Sequence, residues 1–277
     1  IVGLLIAVAV TAATIPAFRH PLPGFGELWG LVRYGFWLSL TTICNLLISG
    51  IDDLVITGTC GAAAVPPWAI GKRFWLTAHT FLAQHCEHLI PTLGSLKAAE
   101  GDSFTRLAGV MHWYLLTLAA VGYALVAWCG DTVVGLIAGH EVGVLCRPAV
   151  FAFSLFGMVL ALLIIPVTMA LAVGASRPMF VVAILSNPAQ LAAVTVIATF
   201  LGAPAVYYAP VAAIPFLFLA TGTTPERLLD PQAIWSRCQP VAVPLTAGLV
   251  AIVGSLWIPK DFETWQRGIA AIDTRIA

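Results

Sequence analysis

Long apolar runs, broken by short polar or Gly/Pro-containing segments, set the pattern of this chain. A membrane-spanning helix needs about 20 predominantly apolar residues, more when tilted. The pattern predicts about eight such helices, at 1–18, 31–55, 67–96, 107–129, 147–173, 178–201, 204–221 and 240–258. Runs of this length argue for helices, because barrel strands would alternate with a period of two. Two connections, 19–30 and 222–239, mix Trp, Leu and charge in "GFGELWGLVRYG" and "ERLLDPQAIWSR". That mixture predicts segments lying at the membrane interface. Pro91, Pro166, Pro188, Pro210, Pro215 and Pro244 interrupt the runs. In a bundle such residues kink helices while neighbours satisfy the freed carbonyls.

Composition strengthens the assignment. Of 277 residues, 60% are hydrophobic and 9% charged, against roughly 25% charged in a soluble domain. The mean hydropathy is +0.96. The fold class is therefore all-α, a polytopic helical membrane protein. A net charge of zero gives no pointer to nucleic acid as a partner. The six cysteines are scattered without C-x-x-C spacing, and most sit in apolar runs. Cys129 and Cys146 flank one segment and could pair. The chain opens at Ile1 inside an apolar run, with no basic leader or A-x-A site, and reads as a piece of a longer protein.

Lysines and arginines give an orientation. Arg19, Arg33, Lys97, Arg106, Arg177, Arg227 and Arg237 fall on one set of connections, predicted to be cytoplasmic. The opposite set has Arg147 alone before the tail. The tail, with Lys260, Arg267 and Arg275, falls on the outer side by this count.

Charge inside the runs is the candidate chemistry. At about 100° per residue, Thr41, Asn45, Ser49 and Asp52 form one polar stripe along helix 31–55, with Asp53 pointing away. On helix 67–96, Arg73, Gln84, Glu87 and His88 cluster on one side. Lys72 and His79 share a flank of that cluster, and His85 lies on the opposite flank. A charge at the bilayer centre costs about 2.5–3.5 kcal/mol on insertion scales. Several on consecutive helices point to a protein-lined, hydrated interior. The plainer reading is an ion pair of Asp52 with Arg73 pinning two helices, with Asp53 and Lys72 snorkelling to the interface. "HTFLAQHCEH" brings His79, His85, Glu87 and His88 together. His85 and His88 could share an ion, but Glu87 points elsewhere and no fourth ligand is evident, so no metal is assigned. No cofactor motif and no G-x-S-x-G, P-loop or HExxH enzyme signature occurs.

The stretch "RYGFWLSLTTICNLLISGIDDLVITGTCGAAAVPPWAIGKRF" resembles the opening of the second lobe in polysaccharide flippases of the multidrug/oligosaccharidyl-lipid/polysaccharide exporter superfamily. Those lobes open with a basic residue and "fG-p", then "iD-liig-f-G", then "v--Y-ia-rl". Arg33, Gly35, Asp52, Ile56, Gly58, Gly61 and Arg73 stand at matching places, while Trp37 replaces the usual Pro and Trp68 a common Tyr. "LIPTLGSLKAAEGDSFTRL" is similar to "l-P-lsel-a-gd--rl" through Pro91, Gly101, Asp102 and Arg106. The likeness covers roughly residues 25–220.

The resemblance implies two pseudo-symmetric six-helix lobes around a central cavity. Residues 31–221 would be the second lobe and 1–18 the last helix of a missing first lobe. Residues 19–30 would be a cytoplasmic linker, 222–239 a cytoplasmic interfacial segment, 240–258 an additional helix and 259–277 a tail. It also implies a transporter of the inner (cytoplasmic) membrane, not an enzyme. Such a transporter flips a polyprenyl-pyrophosphate-linked oligosaccharide for lipopolysaccharide or exopolysaccharide synthesis. Membrane lipids and other polysaccharide-assembly proteins would be its partners. Arg73, then Lys72, would hold the pyrophosphate in a cavity with Asn45, Ser49, Gln84 and His88. Asp52, Asp53, Glu87 and His79 would serve charge pairing or ion coupling. Asp53 stands where the family often has a basic residue. A drug/cation antiporter of the same superfamily would want a more acidic cavity. A membrane glycan polymerase or ligase would want a long outer loop with Arg and His, whereas 130–146 is short and offers His140 and Glu141.

Overall fold

The computed structural model describes residues 25–98, 103–216 and 242–254, and among these the chain is helical with no strand. In chain order the helices are α1 (Phe25–Cys60), α2 (Val65–Glu87), α3 (Ile90–Ala98), α4 (Ser103–Ala138), α5 (His140–Ala172), α6 (Arg177–Leu201) and α7 (Ala242–Gly254). Short helical turns at Ala62–Ala64, Ala203–Val206 and Ala209–Ala212 join or follow them. The segments 1–18 and 222–239 and the tail 259–277 lie outside the described residues.

Four of the helices are long and apolar enough to cross a membrane: Leu28–Cys60, Leu107–Ala138, His140–Ala172 and Met179–Leu201. The expectation of an all-α polytopic membrane protein is borne out. α2 has the length, since 23 residues rise about 35 Å, but Lys72, Arg73, Glu87 and its histidines make it more polar than the rest. Leu46, Leu47, Leu54, Ile137, Phe200 and Leu201 are among many large apolar side chains on the outside. Such a surface fits hydrocarbon rather than water.

α5 is the central helix. Beyond Arg147 it is largely apolar and buried along most of its length, as a helix enclosed by others must be. α4 folds back on it and α2 lies along its other side. Gly71 lies against Ala149 and Phe153, and Gly157 against Trp75, so α2 and α5 run parallel. α1 and α6 also run parallel: Trp37 meets Phe180, Asn45 meets Asn187 and Cys60 meets Ala198. α7 packs on α4, with Gly248 against Ala120. Close approach at glycine is how membrane helices gain packing contacts without a hydrophobic drive between them. A Cβ on Gly71 would come within 2.9 Å of the Ala149 main chain.

The α1–α6 pair joins the α2–α4–α5 body at one end. There Ile56, Trp68, Ala149, Phe153, Val194, Ala198, Val206 and Tyr207 form one apolar cluster. α1 and α2 themselves make few contacts.

Three sequence expectations change. The segment 130–146 is not a loop: α4 and α5 meet at Gly139, whose φ of 101° makes the turn. Polar residues there suggest a break, but a helix satisfies its own backbone and can run on through them. Residues 25–30, taken as part of a linker, are the first turns of α1. The run 67–96 is two helices, parted at His88 and Leu89. Cys129 and Cys146 are both free thiols; Cys129 donates to the Leu125 carbonyl at 2.9 Å, and Cys146 is buried.

Candidate functional site

The polar stripe of α1 is real, and the structure divides it between two neighbours. Thr41 is buried and turns inward on its own helix, donating to the Trp37 carbonyl at 2.9 Å. One turn on, Asn45 accepts through Oδ1 from Asn187 Nδ2 of α6 at 2.8 Å. The last two turns face α2. Lys72 Nζ donates to the Ser49 main-chain carbonyl at 2.6 Å and to both Asp52 oxygens at 2.8 and 3.1 Å. It also reaches Asp53 Oδ1 at 3.4 Å.

The cluster is built from the sequence upward. α2 begins after the tight turn at Gly61, with Pro66 and Pro67 in its first turn, where proline is tolerated. That start places Lys72 two turns into α2, level with the last turns of α1. An ammonium has three N–H donors and no acceptor. Here they meet one carbonyl and two carboxylates. Asp52 is 2% exposed and its oxygen also accepts the Asp53 main-chain N–H at 2.8 Å. The Asp53 side chain is 41% exposed. One cation between two carboxylates leaves a net negative charge when all three are ionised.

This corrects the expected pairing. Asp52 is held by Lys72 and not by Arg73. The reason is geometric: successive residues are about 100° apart around a helix, so only one of Lys72 and Arg73 can face α1. Lys72 does. Arg73 is exposed and makes no ion pair among the described residues. Neither Asp53 nor Lys72 is simply snorkelling, since both contribute to the cluster.

Arg73, Gln84, Glu87 and His88 are all exposed, as are Thr77 and Thr80. At helical spacing these six share one face of α2. Asn45 and Ser49 of α1 are exposed as well. The sequence-predicted residues thus fall into two groups. Asp52, Asp53, Lys72 and Ser49 come together in a cluster, while Arg73, Gln84, Glu87 and His88 form an open polar strip. His79 is partly exposed, and its Nδ1 is buried without a hydrogen-bond partner. His85 turns away to bond the Phe81 carbonyl at 2.7 Å. Among the described residues no three His, Cys, Asp or Glu side chains gather as a metal site.

Two residues of α6 escaped the sequence reading. Asn187, beside the interrupting Pro188, is the polar partner of Asn45. Arg177, counted for orientation alone, lies 6.0 Å from the Trp37 ring centroid, within cation–π range. The only available signal was a lone Asn in an apolar run, which is costly there unless bonded.

The chain matches no protein-family model, no curated protein and no solved structure.

Proposed function

We propose that this chain is the second lobe of a flippase that carries a polyprenyl-pyrophosphate-linked oligosaccharide across the cytoplasmic membrane. The observation that carries the reading is the open polar strip of α2, led by Arg73. A helix face with Arg73, Thr77, Thr80, Gln84, Glu87 and His88 exposed is badly placed against hydrocarbon. It suits a water-filled cavity shared with a facing lobe. Within it, Arg73 is a cation not engaged by any carboxylate among the described residues.

A pyrophosphate at membrane depth needs a charge-assisted partner. The arginine fork donates in pairs to phosphate oxygens, which a lysine point charge does not match. Lys72 loses its claim as second pyrophosphate ligand, because its donors are spent on Ser49, Asp52 and Asp53. Its role in this reading is to hold α1 against α2. Asn45, committed to Asn187, likewise fixes helices. Gln84 and His88 remain as groups for the sugar hydroxyls.

The Lys72–Asp52–Asp53 cluster, with Asp52 buried, supports a second reading, a cation-coupled drug antiporter. A surplus carboxylate in the membrane is a group that a coupling cation could neutralise.

The test is transport by the full-length protein. Arg73→Ala should abolish glycan export with expression and insertion intact. Arg73→Lys should keep part of it, because charge survives and the fork does not. Normal export by a well-expressed Arg73→Ala protein would refute the role. Loss of cation-driven drug efflux, with no effect on glycan, would favour the second reading.

A further inference from the structure

We infer that Trp75, His79 and Tyr123 hold an ordered water molecule in the core, beside Gly157. Three polar atoms there are buried without a hydrogen-bond partner: Trp75 Nε1, His79 Nδ1 and the Tyr123 hydroxyl. They come from two helices, α2 and α4; the Trp75 and Tyr123 rings meet over Gly157 of α5, and His79 stands one turn along α2 from Trp75. Trp75 Cδ1, the atom bonded to Nε1, lies 2.7 Å from the Cβ position that Gly157 lacks. Tyr123 Cζ, the atom bonded to the hydroxyl, lies 2.4 Å from that same point. The His79 ring stands next to Trp75, with centroids 5.9 Å apart. Any side chain at 157 would drive the two rings apart, so the glycine is what lets the group assemble.

The chemistry of the three groups matches one water. The Trp75 indole only donates, a tyrosine hydroxyl donates and accepts, and a neutral histidine nitrogen does one or the other by tautomer. A buried water typically makes about three hydrogen bonds to otherwise unsatisfied groups. It can accept from Trp75 and bond the other two. Tyr123 is 1% exposed, and leaving its hydroxyl bare in an apolar core would be costly. His79, partly exposed, forms the edge of the site. Its Nδ1 is then a water ligand, apart from the ion-coupling role its sequence position suggested.

Tyr123→Phe separates the possibilities, because it removes the hydroxyl and keeps the ring. If the hydroxyl has no ligand, its loss leaves the unfolding midpoint in detergent unchanged or higher. If it holds a water, the midpoint falls. The fall should also be smaller in a His79→Leu background than in the wild type, since the two share the ligand. A second readout does not depend on stability. In protein labelled with 15N-tryptophan, the indole proton that disappears in Trp75→Phe should show a cross-peak to a long-lived water. That cross-peak should be lost in Tyr123→Phe. Absence of the cross-peak in the wild type, or an unchanged or higher midpoint for Tyr123→Phe, overturns the inference.

Discussion

Lys72 decides the chemistry between α1 and α2, and its partners state what its loss would do. Asp52 is almost wholly enclosed, and Lys72 is its only cation among the described residues. Removing one partner of a buried pair leaves a charge in a poor solvent, at a cost of about 3–5 kcal/mol. Lys72→Met should therefore lower stability by about 3 kcal/mol. Adding Asp52→Leu should recover much of it, because an apolar pair of similar volume is often as stable. Thermal unfolding of the purified protein in detergent measures both; a double variant no better than Lys72→Met would mean the pair is not the source of the loss. The existence of a charge cluster was legible in the sequence, since acids and bases in apolar runs stand out. The choice of Lys72 over Arg73 was not, because it turns on the azimuth of α2. The bend at Gly61 sets that azimuth, and periodicity alone does not.

Among the elements, the pairing of α1 with α6 is the least expected. The two are separated by more than a hundred residues, yet three contacts run in register: Trp37 with Phe180, Asn45 with Asn187 and Cys60 with Ala198. Helix existence and length were readable from the apolar runs; 178–201 was placed to within a residue of α6. Neighbours were not readable, because lipid-facing and protein-facing sides are equally apolar and the pattern has no inside. Only small residues and lone polar groups mark the interfaces, and Gly71, Gly157 and Asn187 do so here. A disulfide test follows. With the natural cysteines replaced, Asn45→Cys combined with Asn187→Cys should cross-link under mild oxidation. Trp37→Cys with Ala198→Cys should not, since a parallel arrangement sets them at opposite ends. Cross-linking of the second pair alone would mean that the helices run antiparallel.

For the whole molecule, the alternation of helix direction ties the two ends of the bundle to charge. α1 and α6 start, and α2 and α5 finish, at the end that carries residues 88–89 and 173–176; α4 starts there too. Lys97 and Arg177 sit at that end, with Arg33 near the start of α1 and Arg106 near the start of α4. The opposite end has Arg147, which lies 3.8 Å from Asp131 and is partly neutralised by it. Positive residues in short loops are retained on the cytoplasmic side, so the first end should face the cytoplasm. In a cysteine-free background, Ser103→Cys should resist a membrane-impermeant maleimide in intact cells and react after permeabilisation. His140→Cys, at the far end, should react in intact cells. Reversal of both results would turn the bundle over, and the polar strip of α2 with it. Arg73 lies in the half of α2 that starts from the His140 end, so the same experiment states which face of the membrane it lies nearer. With the expected result, Arg73 stands nearer the outer face. If the proposed flippase reading holds, Arg73 would meet the pyrophosphate late in its passage.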